Sequence, residues 1–300
     1  TAEPRQKNLA SGGFTPLLYA ARQGCLPCAK SLVGAGAAVD RTDPDGVTPL
    51  LSALLNAHFD TAKFLLEKGA NPNKWDWWGR TPLYLAVDYN TLPHGGRPDH
   101  LSLDATTSTA MIDILLKAGA NPNLGKTSAV MLASRSGSVP VLKLLLDAGG
   151  DANAKEPVRG QTALMWAAAE RHPDAVKLLI SKGASVKART QVPAPAAGAP
   201  AARKGEPGAN GANGYTPLLF AARAGDLRSV NALLEAGADI NEVGLDGLSP
   251  LLLATVRGQA ALALALLDKG ANPNVDTPGY TALHWAAGSW ETELTVTSIT

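Results

Sequence analysis

Cys25-Leu26-Pro27-Cys28 is the stretch of this 300-residue chain whose residue types and spacing suggest redox chemistry. Two thiols separated by two residues at a helix start can exchange with another disulfide, because the helix end favours the thiolate. The setting argues for less. It lacks the strand-then-helix context of a redox-active CxxC domain, and no His follows Cys28 for haem attachment. Two cysteines cannot complete a zinc site without more ligands nearby, and they exclude a disulfide-built scaffold. Histidines stand apart at 58, 94, 100, 172 and 284. His94 and His100, with Asp99 between them, could touch a metal, but they share a loop-like stretch. No GxSxG, HExxH or phosphate loop occurs, and the carboxylates form no recognisable pair. The expectation is a chain without catalytic residues, metal or cofactor.

A second group points to recognition. Asp76-Trp77-Trp78-Gly79-Arg80, with Trp75 beside it, clusters indole rings in a turn-like segment. Exposed Trp is costly unless something covers it, and Trp and Arg are enriched where proteins grip their partners. The rings could instead pack on neighbouring turns or on a nearby insertion. A membrane-interface role would call for a basic amphipathic helix, which the surrounding residues do not supply.

Composition narrows the partners. Lys and Arg total 27 against 26 Asp and Glu, a formal charge of +1, which argues against a polyanion binder. Apolar residues make up 45 % of the chain, enough for a core, while aromatics are only 5 %. Ala, Leu and Gly dominate, which suits small, closely packed helices more than a β-sandwich. No uninterrupted apolar run approaches the roughly 18 residues of a membrane span.

The elements that position these residues emerge from self-comparison. Thr15-Pro16-Leu17-Leu18-Tyr19-Ala20-Ala21 returns from Thr48 as TPLLSAL and from Thr81 as TPLYLAV. Further copies start at Ser128, Thr162, Thr216, Ser249 and Thr281, giving spacings of 33, 33, 47, 34, 54, 33 and 32 residues. The two long spacings are one unit each carrying an insertion, about 89–109 and 190–213. Each unit has a second half, an apolar pair and then Gly-Ala, as in Leu65-Leu66 before Gly69-Ala70 and Leu233-Leu234 before Gly237-Ala238.

One unit can be read physically. Thr caps a helix whose first turn accommodates Pro, because the missing N–H has no intrahelical partner there. Leu and Ala at three-to-four spacing make one apolar face. A second helix, with Pro27, Pro140 or Pro173 near its start, ends at Gly. A polar turn such as Asp43-Pro44-Asp45-Gly46 leads to the next Thr. A single unit cannot bury its apolar face, whereas stacked units can.

The recurring TPLxxAA…G…LLxxGAxxN signature resembles the ankyrin-repeat family over nearly the whole chain. The resemblance implies an all-α fold over residues 1–300, a single elongated, curved solenoid of about eight helix-turn-helix repeats with projecting β-hairpin fingers. It also implies a concave binding face and a non-catalytic role in binding protein partners, as a scaffold or a subunit of a larger complex. In such an arrangement Trp75, Trp77, Trp78 and Arg80 occupy a finger. Arg22, Gln23, Arg135, Arg223 and Arg257 follow the inner-helix Ala pairs and face the groove, and their charge hints at an acidic partner. His284 of Thr281-Ala282-Leu283-His284 would play the family's structural hydrogen-bonding role. In this register Cys28 falls on a core position and Cys25 on the variable position occupied elsewhere by Asp226 or Gln259.

Several further expectations follow from the linear pattern. The Pro-, Ala- and Gly-rich insertion at 190–213 cannot bury a core. Residues 1–14 and 290–300 depart from closed terminal repeats, so the natural chain continues there or a partner covers the end. Alternatives to partner binding are thiol redox through Cys25 and Cys28, and head-to-tail self-assembly. The TPLLxAA style and the start at Thr1 lean toward a bacterial protein that is periplasmic or secreted rather than cytoplasmic.

Overall fold

The computed structural model describes residues 13–91, 104–125, 128–191 and 214–287. The central parts of both expected insertions, together with His94, Asp99, His100 and the segment 290–300, lie outside these described residues. The described chain is helical and carries no sheet. It folds as two compact units, Thr1–Ala154 and Lys155–Thr300.

The first unit contains α1 (Pro16–Arg22), α2 (Leu26–Gly34), α3 (Pro49–Leu55), α4 (Phe59–Glu67), α5 (Pro82–Thr91), α6 (Ser108–Lys117), α7 (Ala129–Ser136) and α8 (Val139–Asp147). Successive helices pack in pairs, α1 with α2, α3 with α4, α5 with α6 and α7 with α8. The odd-numbered helices pack in one row and the even-numbered helices in a second row. Leu17, Leu50, Leu51, Leu83, Ile112, Leu115 and Met131 fill the space between them.

The second unit repeats the arrangement with α9 (Ala163–Ala169), α10 (Pro173–Ser181), α11 (Pro217–Ala224), α12 (Leu227–Glu235), α13 (Pro250–Val256), α14 (Ala260–Asp268) and α15 (Ala282–Ala287). Its core is built on Leu164, Met165, Leu179, Leu218, Leu219, Leu233, Leu252 and Leu266.

The helix starts have the predicted cause. The hydroxyls of Thr15, Thr48, Thr162, Thr216 and Ser249 each accept the backbone N–H three residues on, and Pro follows four of these five caps. These short helices depend on capping and packing rather than on propensity. The second helix of a pair ends before a glycine with positive φ, +86° at both Gly69 and Gly237. The polar Asn that follows joins successive pairs: Asn73 Oδ1 accepts the Asn121 N–H at 2.8 Å, and Asn123 Oδ1 accepts that of Asp151 at 2.7 Å.

The fingers are tight turns rather than extended ladders among the described residues, where strand-like pairing amounts to one isolated bridge, Lys155–Thr162. Two of them are closed by a backbone bond across the base, Asp43 N–H to the Val47 carbonyl at 3.1 Å and Asp76 N–H to the Arg80 carbonyl at 3.2 Å. In these Asp43 and Asp76 fingers the returning amide goes to the acidic side chain instead of completing a second backbone bond. Asp43 Oδ1 accepts from Asp45 at 2.9 Å and from Val47 at 2.8 Å.

Candidate partner-binding surface

The finger at residues 76–80 is fixed from below. The Asp76 side chain is fully buried. Its Oδ1 accepts the N–H groups of Trp78 (3.0 Å) and Arg80 (2.9 Å). Its Oδ2 takes Nε of Arg80 at 2.6 Å and pairs with Nη2 at the same distance. Arg80 then lies over the Trp78 ring, 4.8 Å from its centroid. One buried carboxylate thus sets the turn, neutralises the guanidinium and holds that cation against an indole.

Above this base the rings face solvent. Trp77 is 44 % and Trp78 54 % exposed, whereas Trp75 is half-buried at the foot of the turn. The predicted cluster therefore divides. Trp77 and Trp78 form an exposed pair, Trp75 is partly structural, and Arg80 is committed to Asp76 and Trp78.

The predicted inner-helix residues are also placed. Arg22 ends α1 and Gln23 caps it, both exposed. Arg135 is half-buried in the last turn of α7. In the second unit, Arg223 in α11 and Arg257 at the end of α13 are exposed. Both cations act on the Tyr215 phenol, which donates to Asp246 Oδ2 at 2.6 Å. Burial, then the Asp246 contact, pushes that phenol above its ordinary range despite the two arginines.

Some exposed residues were not marked by sequence reasoning. Leu245 is 67 % exposed in the finger Gly244-Leu245-Asp246-Gly247, the place that Trp77 holds in its own turn. Val158 is exposed in the finger at 156–160. Register alignment of the fingers could have revealed both. Tyr19 is 55 % exposed on α1, with Phe14 edge-on against it.

Cys28 is likewise not on a core position: it is exposed, and the buried residue is its neighbour Ala29. Its counterparts Thr61, Val141, Ala175, Ser229 and Leu262 are all buried within longer stacks. Cys28 sits in the first described helix pair, with no earlier described pair to cover that face. Cys25 does occupy the expected variable position, the N-cap of α2, as Asp226 and Gln259 cap α12 and α14. The two cysteines are joined as a disulfide.

Among the described residues no cluster of His, Cys, Asp and Glu is arranged to hold a metal ion, and no helix is long and apolar enough to cross a membrane. His284 Nδ1 accepts the Thr281 N–H at 3.0 Å, the structural contact that the resemblance implied.

Comparison with known proteins agrees with this architecture. The family model described as ankyrin repeats (three copies) matches residues 17–94, 101–190 and 218–294. No curated protein matches the chain. Among solved structures, the human ASB11 ankyrin repeat domain is similar, with a TM-score of 0.63 and 27 % identity over 86 % of this chain and 99 % of that one. Capped helix pairs, asparagine links between them and a family match over most of the length lead to one assignment: the chain belongs to the ankyrin-repeat family.

Proposed function

We propose that this chain is a non-catalytic recognition module that binds a protein partner through its finger tips and the exposed ends of its first-row helices. Ankyrin repeats in general mediate protein–protein interaction. The observation that carries the reading here is the Trp77–Trp78 pair, left open to solvent on a turn whose base is locked by buried Asp76. A stiff turn loses little backbone entropy when it binds, so the apolar area of two indoles converts efficiently into affinity. Tyr19, Arg22 and Gln23 extend the candidate surface in the first unit. Leu245, Arg223 and Arg257 form a corresponding set in the second. A role as scaffold or subunit of a larger assembly fits a chain that offers more than one such set.

The test is capture of a partner from the native source, followed by a dissociation constant for the purified pair. Wild type, a Trp77→Ala/Trp78→Ala variant and an exposed control change on α4, Lys63→Ala, are compared. We expect the double variant to bind on the order of 30-fold more weakly, with the control unchanged. Equal affinity of the double variant would remove the finger from the interface.

A further inference from the structure

Disulfides that stabilise a fold join separate elements, and they restrain the unfolded chain more when they close longer loops. The Cys25–Cys28 bond does neither. It spans the first turn of α2, where the Ala29 N–H already donates to the Cys25 carbonyl at 2.9 Å. Its partners are also accessible, Cys28 exposed and Cys25 half-buried.

The two sulfurs differ in surroundings. Sγ of Cys25 stands at the N-cap and accepts the Cys28 N–H at 3.3 Å. The free N–H groups of a first helical turn favour negative charge at that point. The same position in α12 holds an anion, Asp226, whose Oδ1 accepts the Arg228 N–H at 3.1 Å. The first turn of α2 contains no acidic residue to oppose a charge. The charged groups close in sequence are Arg22 at the end of α1 and Lys30 on α2, and the His58 ring lies against Gly24, the residue before Cys25. A thiolate is therefore better accommodated on Cys25 than on Cys28.

We infer that the Cys25–Cys28 bridge is an exchangeable redox site whose substrate is a dithiol, attacked at Cys28 and leaving through Cys25. One thiolate of the dithiol forms a bond to Sγ of Cys28. The Cys25–Cys28 bond breaks, and its electron pair goes to Sγ of Cys25, held as thiolate at the N-cap. The second thiolate of the dithiol then attacks the mixed disulfide and releases Cys28. The bridge gains two electrons, the dithiol is oxidised to a disulfide, and the released thiolates take protons from solvent according to their pKa values. The site is independent of the Trp77–Trp78 surface, and either assignment can fail alone.

The test uses the full chain at pH 7, equilibrated in mixtures of reduced and oxidised dithiothreitol, quenched with iodoacetamide and weighed intact. We expect two alkyl groups to appear together in one two-electron step while the helical circular dichroism stays unchanged. Opening only at denaturant concentrations that unfold the chain would overturn the proposal. The Cys28→Ser and Cys25→Ser variants then report each thiol alone through alkylation rate against pH. We expect Cys25 to reach its half-maximal alkylation rate at a lower pH than Cys28. A Cys25 thiol that titrates no lower than Cys28 would overturn the assignment of the leaving sulfur. If neither variant folds, the wild-type reduction decides.

Discussion

The Trp77 backbone N–H donates to the Asp45 carbonyl oxygen across 2.9 Å, so each of these fingers is anchored twice. One anchor is the acidic side chain at its own base, and the other is the neighbouring turn. The second unit repeats the device where the Gln191 N–H donates to the Arg159 carbonyl at 2.7 Å. Exposed apolar side chains at such tips are carried on backbone that cannot easily yield.

Replacing Asp76 tests the first anchor. Asp76→Ala removes two backbone acceptor contacts and the Arg80 pair from a buried site. We expect a loss of about 2–4 kcal/mol, because N–H donors are left buried and Arg80 loses its counter-charge. Urea unfolding followed by tryptophan fluorescence measures it. Asp76→Asn keeps one acceptor oxygen and should cost less. Equal midpoints for wild type and Asp76→Ala would show that the turn holds without its base.

Trp77→Ala/Trp78→Ala should behave differently. Both rings are about half exposed and lie outside the core, so by the unfolding midpoint their removal should cost clearly less than Asp76→Ala, about 1 kcal/mol. A larger drop would mean that the rings act as packing rather than as a contact surface.

How much of this could be read in advance depended on whether a residue answers to its own repeat or to its neighbours. Thr48-Pro49 and Thr216-Pro217 declare a helix start locally, and the chain obeys. Asp226, Gln259 and Cys25 share a register and all stand at helix N-caps, where the side chains of Asp226 and Cys25 accept a first-turn N–H. Cys28 is exposed because the burial its register calls for requires a preceding helix pair that the described residues do not include. The extent of the hairpins is set locally: a backbone bond across the base closes each of the fingers at Asp43, Asp76 and Glu156, and the acidic side chain there takes further turn amides. The exposed Leu245 escaped notice because leucine carries no recognition signature outside its turn.

Asp60 provides a long-range prediction. Its carboxylate accepts the Thr106 hydroxyl at 2.6 Å and the N–H groups of Ala105 and Thr106, both at 3.0 Å, while Asp104 Oδ2 accepts the Asp60 N–H at 2.8 Å. The Thr106 hydroxyl contact, foremost among these, holds the Asp60 carboxyl below its ordinary value. A depressed carboxylate stabilises the fold above its unfolded pKa and loses that contribution as pH falls through the folded value. Asp60→Ala should therefore cost about 1–2 kcal/mol at pH 7, and the gap to wild type should narrow under acid conditions. Chemical denaturation at pH 7 and pH 3 checks this, and a gap independent of pH would refute the ionised-acceptor role.

Glu242 should show the reverse dependence. Its side chain is buried in the second unit, where it accepts the Thr216 hydroxyl and lies 3.8 Å from Nη2 of Arg189. Burial pushes its carboxyl up to about 7, against the pull of Thr216 and Arg189 and with a small push from Asp239. The folded pKa is raised, so the protonated form is favoured by folding. That contribution is complete below the ordinary carboxylate range near 4.5 and is lost as pH rises through about 7. Wild type should accordingly lose stability between pH 5 and pH 8 relative to Glu242→Gln, which keeps the volume and cannot ionise. Arg189 also donates from Nη1 to the carbonyls of Gly214 at 2.7 Å and Val243 at 2.9 Å, so Arg189→Ala should steepen the loss by leaving the ionised carboxylate without its cation. Urea midpoints for the three proteins across that pH range decide the matter: parallel curves for wild type and Glu242→Gln would mean that Glu242 stays ionised throughout, with Arg189 and Thr216 outweighing its burial.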